Sequence, residues 1–310
     1  RSRGLGDVYK RQGLFNIGGQ GQAIAGATLA AWVGFNFHSL PLPVHLLFAV
    51  IAGFIGGAIW GGVAGILKAR AGANEVIVTI MLNYIAGGLL AWLLTTKAFQ
   101  MPGRTDPIAP IVDWNATFPR MAGSQLHLGF FLALLLAVGT WWLLDRTPLG
   151  FQIRAVGSNP NASATAGMNT NSIIAWTMII SGGLAGMAGV EVALGPISGA
   201  TPTQLSIGLV GTIGFDAITV ALLGRSKPLG IVLAGLFWGA MNQGGLRMQA
   251  MTQTSLDLVR VIQAVIVMFV AAPMLVKTIL PFLKTRREKR TKKRDRGPVP
   301  ADTTTKGALA

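Results

Sequence analysis

LPVHLLFAVIAGFIGGAIWGGVAGIL, residues Leu42 to Leu67, is an uncharged apolar stretch in which glycine recurs at every fourth position. It is longer than the roughly 20 residues that an α-helix needs to cross the hydrocarbon core of a bilayer. Gly53, Gly57, Gly61 and Gly65 share one face of that helix, because residues four apart are neighbours on its surface. A second helix can pack against the bare backbone of this face, so the stretch predicts a tightly packed transmembrane helix.

The same character extends along the chain, which is 51% hydrophobic and only 12% charged and contains 41 glycines among 310 residues. This composition is that of a membrane protein and not of a soluble domain. The small-residue spacing also repeats in the pairs Gly182/Gly186 and Gly235/Gly239. We therefore predict an all-α polytopic transmembrane bundle with about eight visible spans. Besides Leu42–Leu67, the candidate spans are Leu14–Phe35, Val76–Leu94, Leu126–Leu144, Ile173–Leu194, Leu205–Leu223, Leu229–Gly245 and Leu256–Leu280.

Both ends of the chain differ from this apolar domain, which we place at residues 13–283. Nine Lys or Arg residues lie between Lys284 and Arg296, and they account for much of the formal net charge of +15. A basic segment directly after a span is first a signal for a cytoplasmic location, and contact with anionic lipid is the next interpretation. Nucleic-acid binding is disfavoured, and we predict that residues 284–310 are a disordered cytoplasmic tail. Residues 1–12 are polar and basic, and we expect them to be non-native or the remnant of a truncated N-terminus.

Counting spans back from the tail puts the loop from Thr147 to Asn169 in the cytoplasm as well. Within it, Asn159 is a favourable N-cap, Pro160 suits the first helical turn, and Gly167 can end a helix in the left-handed conformation. The sequence therefore predicts a short helix with a small-residue body in a loop accessible from outside the membrane. The Pro-rich loop Lys97–Leu126 falls on the opposite, external side although it contains Lys and Arg, and it is either a docking surface or an ordered connection.

Motifs for bond-making chemistry are missing from the sequence. It has no GxxxxGK[ST] phosphate loop, HExxH helix or GxSxG elbow, and its three histidines do not form a ligand-like pair. Without cysteine the chain forms no disulfides. We expect neither an enzyme nor a metal site.

Polar residues inside the apolar runs are the candidates for a solute path. Placing a charged carboxylate at the centre of a membrane helix costs about 2.5–3.5 kcal/mol, so such groups usually face a cavity or a partner. Non-helical backbone and amides at membrane depth are tolerated where they line a water-filled path. The stretch Gly13–Gln22 mixes glycine with amides in this way. The predicted path residues are Asn16, Gln20, Gln22, Asn83, Glu191, Asp216 and Asn242. For Glu191 and Asp216 the alternative is a structural hydrogen bond at a helix break.

Four stretches together resemble the permease subunits of bacterial ATP-binding-cassette (ABC) importers for branched-chain amino acids, ribose and simple sugars. They are GLFNIGGQGQAIAGA, NEVIVTIMLNYIA, FQIRAVGSNPNASATAGMN and ITVALLGRSKPLGIVLAGLFWGAM, which begin at residues 13, 74, 151 and 218. The second is most similar to nucleoside and simple-sugar members. The likeness extends over about residues 13–283 and implies about ten spans, as in a long polytopic bundle.

The resemblance also implies which partner subunits the chain has and which of them binds ATP. A second permease, identical or homologous, two ATPase subunits and an external substrate-binding protein or lipoprotein would complete the importer in the bacterial inner membrane. ATP and Mg²⁺ would bind the ATPase and not this chain, which agrees with the missing phosphate loop. The loop at 146–170 would hold the coupling helix that contacts the ATPase. By position, that role falls on Arg154, Ala155, Gly157, Asn159, Pro160, Ala162, Ala166 and Gly167.

The sequence is compatible with three functions: an ABC permease, an ion-coupled secondary transporter and a non-transporting scaffold. The solute of an ABC permease is a nucleoside, a simple sugar or a branched-chain amino acid, in that order of preference. An ion-coupled secondary transporter would instead use Glu191 and Asp216 as coupling groups, and its uptake would persist without an ATPase. A non-transporting scaffold would leave the polar residues at membrane depth unexplained.

Overall fold

The computed structural model of the chain describes residues 16–38, 40–121, 126–196, 201–253 and 255–271. The predictions for residues 1–12 and 284–310 lie outside these ranges. The described part is helical apart from one small sheet and irregular connections. Its helices are α1 Gly19–Asn36, α2 Leu42–Ala71, α3 Glu75–Leu93, α4 Leu128–Arg146, α5 Pro148–Ser158, α6 Pro160–Thr165, α7 Thr170–Leu194, α8 Ile213–Leu223, α9 Pro228–Thr252 and α10 Leu256–Ala271.

The all-α polytopic fold is confirmed. Within the described residues, α2, α3, α4, α7 and α9 are long and apolar enough to cross a membrane. The chain divides into two compact units between Ala240 and Met241, inside α9. The first unit contains the packed core, in which α1, α2 and α7 contact one another most extensively.

Glycine allows these three helices to approach closely. A Cβ built on Gly57 would overlap the carbonyl oxygen of Gly182 and lie 2.6 Å from the Cα of Gly186. A Cβ on Gly61 would lie 2.5 Å from the Met178 carbonyl oxygen, and one on Gly53 would overlap the side chain of Val190. Helices α2 and α7 thus touch backbone to backbone along the glycine face, and any larger residue would force them apart.

The order of these contacts shows how the helices run. Gly53, near the start of α2, faces Val190 near the end of α7, whereas Gly65, near the end of α2, faces Ala175 near the start of α7. Helices α2 and α7 are therefore antiparallel. The connection after α2 and the segment before α7 lie at the same end of the bundle.

A two-stranded antiparallel sheet covers the other end. Strand β1, Ile108–Ile111, pairs with β2, Gln204–Ser206, with Ile108 opposite Ser206. Backbone hydrogen bonds from Asp113 to Gly34 and from Phe118 to Leu194 fix this layer to the last turns of α1 and α7.

One predicted span is wrong in detail. The run Leu205–Leu223 is not a continuous helix, because it begins in β2 and passes through turns with Gly208 and Gly211 at φ +86° and +54°. Only α8 is helical, and its 11 residues extend about 16 Å, half of the roughly 30 Å hydrocarbon core. Left-handed glycines break this helix in a run whose apolar composition alone suggested continuity.

Candidate functional site: a polar junction, a cavity and an exposed loop

Buried amides gather where α1 begins, half-way along the core helices. Asn16 donates a hydrogen bond from Nδ2 to Ser181 Oγ at 2.8 Å, and Ser181 lies near the middle of α7. The first turn of α1 therefore lies at membrane depth, where its free backbone N–H groups have no water to bind. Such a helix start requires polar side chains from its own protein.

Two asparagines meet that requirement. Asn16 Oδ1 accepts from the backbone N–H of Gly18 at 2.9 Å, and Asn83 Oδ1 of α3 accepts from that of Gly21 at 2.8 Å. The Asn83 amide also donates to the Ile17 carbonyl at 3.0 Å. Gln22 exchanges hydrogen bonds with Asn16 in both directions, at 2.9 and 3.2 Å. The amides thus satisfy the backbone of an intramembrane helix start.

Gln20 extends this junction to the broken segment before α8. Its Nε2 donates to the Gly211 carbonyl at 2.6 Å, and its Oε1 accepts from the Gly214 N–H at 2.9 Å. A Cβ on Gly214 would overlap the backbone of Gln20, so the two helix starts are in direct contact. One side chain therefore links the first turns of α1 and α8.

The structure brings four of the seven predicted path residues together in this junction: Asn16, Gln20, Gln22 and Asn83. The side chains of Gln20, Gln22 and Asn83 are buried, and their hydrogen-bonding groups already have protein partners. In this conformation they are not available to a solute.

The other three predicted path residues lie elsewhere. Asp216 is in the first turn of α8, where a carboxylate is favourable, and accepts from Thr212 Oγ1 at 3.3 Å. Asn242, in the second compact unit, accepts a hydrogen bond from buried Gln263 at 3.1 Å. Glu191 is near the end of α7.

Glu191 lines a cavity of about 460 Å³ in the first compact unit. Gly129 makes room for its carboxylate, since a Cβ there would overlap both oxygens. Glu191 Oε2 is 3.7 Å from Nδ1 of His127. Burial, and then the charge of Arg120, hold the pKa of His127 below its ordinary value. The remaining lining residues are Ala133, Leu136, Ala137, Thr140, Leu184, Met187, Ala188, Ile213, Pro228 and Ile231.

The loop between α4 and α7 has the short helix that its sequence predicts. Asn159 caps α6, with Oδ1 accepting from the N–H groups of Asn161 and Ala162 at 3.1 Å. Pro160 is the first helical residue, and Gly167 adopts φ +84°. Ser163 is the buried anchor of α6, while the surfaces of Ala162 and Ala166 are exposed. The loop thus presents a rigid surface of small side chains.

A second helix, α5, was missed by the sequence analysis. Thr147 Oγ1 accepts from the Gly150 N–H at 3.1 Å, and Pro148 is the first helical residue. This is the same cap signal as Asn159 and Pro160, so the motif TPLG could have revealed it. Of the residues assigned to the ATPase contact, Arg154, Ala155 and Gly157 belong to α5, and Arg154 pairs with Asp145 at the end of α4.

Sequence reasoning also missed polar residues that surround the buried amides. Ser181 receives the Asn16 hydrogen bond, and Trp60 of α2 donates from Nε1 to the Leu82 carbonyl at 3.2 Å beside Gly21. Thr79 is fully buried and lies next to Gly18. A hydroxyl or indole in an apolar run was their only signal, and it does not identify a partner.

Comparison with known proteins gives a consistent assignment. Residues 5–271 match the family described as "Branched-chain amino acid transport system / permease component". The guanosine ABC transporter permease protein NupP of Bacillus subtilis is 38% identical, over 89% of this chain and 78% of its own length. The nucleoside ABC transporter permease protein NupB of Lactococcus lactis is 33% identical, over 89% and 77%.

A third relative is named for a sugar. The glucose ABC transporter permease protein TsgB13 of Haloferax volcanii is 30% identical over 84% of this chain and 69% of its own length. No solved structure matches the chain. With its polytopic helical fold, the chain therefore belongs to the branched-chain amino acid transport system / permease component family and is a permease subunit of an ABC importer, not an enzyme.

Proposed function

We propose that this permease subunit imports nucleosides. The observation that carries the proposal is the similarity to NupP and NupB, which are named for guanosine and nucleosides and match along 89% of the chain. Simple sugars are the second candidate, favoured by the 30% identity to TsgB13. Branched-chain amino acids rest on the family description alone.

ABC permeases of this family work with an ATPase and a binding protein. In our proposal the partners are two ATPase subunits that bind ATP and Mg²⁺, a second permease that is identical or homologous, and an extracytoplasmic binding protein or lipoprotein. The proposed location is the bacterial inner membrane, with the C-terminus in the cytoplasm and lipid around the bundle. This orientation is supported by Lys68 and Arg70 in the last turn of α2, Arg146 in the last turn of α4 and Arg154 within α5, all of which would face the cytoplasm.

The proposed contact with the ATPase is the surface of α5 and α6. Its exposed alanines allow close approach, and nothing lies within 4 Å of a Cβ built on Gly157. Helix α7 begins at Thr170, directly after this loop, and packs on α1 and α2 through glycine contacts. A displacement of the loop would therefore move α7 as a rigid body against its neighbours.

The proposed path alternates between the two sides as that movement occurs. Separation of α1 from α8 would break the Gln20 hydrogen bonds and expose the amides of Asn16, Gln22 and Asn83 to a passing solute. Amides both donate and accept, as an uncharged nucleoside requires. ATP-driven closure of the ATPase subunits would bias the permease towards one of the two states.

The test replaces Gly157 or Ala162 with tryptophan in the complete importer. We expect co-purification of the ATPase and uptake of radiolabelled guanosine to fall about tenfold or more, as for a disrupted interface centre. Both positions are solvent-accessible, so the amount of protein in the membrane should not change. Excess unlabelled nucleoside should compete with guanosine, whereas ribose and leucine should not.

Gly139→Trp is the matched control. Gly139 is exposed on α4, and a Cβ there has nothing within 4 Å. Normal ATPase association and uptake in both loop variants would contradict the assignment of this surface. Competition by ribose or leucine instead of nucleosides would contradict the proposed substrate.

A further inference from the structure

The cavity beside Glu191 has two chemically different parts. One face of α7 contributes Leu184, Met187, Ala188 and Glu191, and one face of α4 contributes four residues at the same helical spacing, of which only Thr140 is polar. The Thr140 hydroxyl already donates to the Leu136 carbonyl at 2.7 Å. Among the described residues of this cavity wall, Glu191 therefore has the larger free capacity for a polar ligand, because the Thr140 hydroxyl oxygen can only accept.

That capacity is a pair of acceptors. Glu191 Oε1 is buried and has no hydrogen-bond partner within the described residues. At 3.7 Å, His127 Nδ1 is too distant from Oε2 for a hydrogen bond. Glu191 thus has the arrangement expected of a group that awaits a ligand.

The size of the cavity and the position of its polar groups restrict which ligands can bind there. The volume of about 460 Å³ falls within the roughly 300–1,000 Å³ of small-molecule sites. A carboxylate only accepts hydrogen bonds, so the ligand must present donors at one end. Its remainder must tolerate apolar walls, because polar groups buried without partners are costly.

A nucleoside meets these conditions better than the other candidates do. Its two adjacent ribose hydroxyls can both donate to the Glu191 carboxylate, and the face of its base can lie on the apolar wall. A hexose carries hydroxyls around the whole ring, most of which would lack partners here. The ammonium of an amino acid could also donate to Glu191, but its own carboxylate would then be buried without a cation among the described lining residues.

We propose that Glu191 binds the ribose 2′,3′-diol of a nucleoside in this cavity and that the cavity is a station on the transport path. The inference rests on the proposed function, because it assumes that the solute is a nucleoside. It adds the orientation of the solute and the residue that distinguishes ribonucleosides from nucleosides without the diol.

The experiment compares uptake of guanosine with that of 2′,3′-dideoxyguanosine by the complete importer, in wild type and in Glu191→Gln. The same binding protein is used with wild type and variant. Its own preference therefore cancels when the guanosine-to-dideoxyguanosine uptake ratio of the variant is divided by that of the wild type. We expect the preference for guanosine to fall about tenfold in the variant, which corresponds to the upper range for the net loss of one hydrogen bond. Dideoxyguanosine uptake should change little. Glu191→Asp, which keeps the charge but retracts it, should give an intermediate preference.

Thr177→Val is the control, since Thr177 lies on the same helix and its hydroxyl is bonded to Ile173 within that helix. It should retain the wild-type preference. An equal fall in both fluxes in Glu191→Gln, or an unchanged preference, would overturn the proposal while leaving nucleoside transport intact. Absence of guanosine uptake by the wild-type importer would refute the proposed function itself, and the diol site with it. Each uptake rate is normalised to the amount of permease in the membrane fraction, measured by immunoblot. If the Glu191→Gln variant does not accumulate, the guanosine-to-dideoxyguanosine uptake ratio of Glu191→Asp decides the test.

Discussion

At the scale of single residues, the fold depends on glycines, whose lack of a side chain lets two helices touch. Gly57 and Gly61 of α2 face Gly182 of α7 so closely that a methyl group would meet backbone atoms. Backbone cannot rotate aside as the end of a flexible side chain can. The cost of a larger residue is therefore a separation of the helices, with loss of the contacts that flank it.

The first prediction compares two identical substitutions. Gly57→Ala should lower the free energy of unfolding by about 1–3 kcal/mol, because its methyl group overpacks the contact with α7. Gly88→Ala, on the exposed surface of α3 with nothing within 4 Å, should be neutral or stabilising by up to about 1 kcal/mol through helix propensity. Thermal unfolding of the purified proteins in detergent measures both. Equal melting temperatures would show that the glycine face does not determine packing.

At the scale of elements, two helices begin inside the membrane and stabilise each other. Helix α1 begins at Gly19 and α8 at Ile213, and Gln20 bonds to the backbone on both sides of the α8 start. The first turn of each helix has backbone N–H groups without partners. The backbone of the other helix start cannot accept these hydrogen bonds, because it too offers N–H groups. Amide side chains do so, because they donate and accept at once.

The second prediction concerns that connection. Gln20→Leu should increase hydrogen exchange at the Gly214 amide by about tenfold or more, since a buried group left unpaired costs about 1–3 kcal/mol. Mass spectrometry of peptides covering residues 207–214 measures the change. Asn36→Ala is the control, because that amide bonds to Trp32 within its own helix. Unchanged exchange after Gln20→Leu would mean that other contacts hold the two helix starts together.

At the scale of the whole molecule, the proposed orientation rests on which charged residues share an end of the bundle. The turn after α2, with Lys68 and Arg70 beside it, shares an end of the bundle with the α5–α6 loop, and the β1–β2 sheet lies at the other end. In the proposed orientation the basic residues beside this loop are retained in the cytoplasm and the sheet is outside, although the sheet end also carries Arg104 and Arg120.

The third prediction tests this orientation with introduced cysteines. The chain contains no cysteine, so a single substitution gives a clean background. Ser158→Cys should react with a membrane-impermeant maleimide only after the cells are opened, and Arg104→Cys should react in spheroplasts. Both side chains are exposed, so accessibility depends on the side of the membrane. The reverse labelling pattern would contradict the proposed cytoplasmic loop.

Sequence patterns predict this protein well where the signal is local. Apolar length predicts the membrane fold, glycine spacing indicates close packing, and Asn159 with Pro160 and Gly167 predicts α6 because a cap depends only on its near neighbours. The cap signal of Thr147 and Pro148 is also local, so α5 was predictable although it was missed. The break before α8 was not, because left-handed glycines interrupt an apolar run that reads as continuous. Composition cannot distinguish a continuous span from a half-helix that begins at membrane depth.

The sequence by itself determined that the chain is an all-helical membrane protein with a capped loop and scattered intramembrane polar residues. Only the tertiary structure decided which of those residues meet. It joined Asn16, Gln20, Gln22 and Asn83 at the start of α1, and it placed Glu191 apart from them, on the wall of a cavity. The reason is physical: a polar group in an apolar run must find a partner, but that partner lies up to 194 residues away and is selected by helix packing.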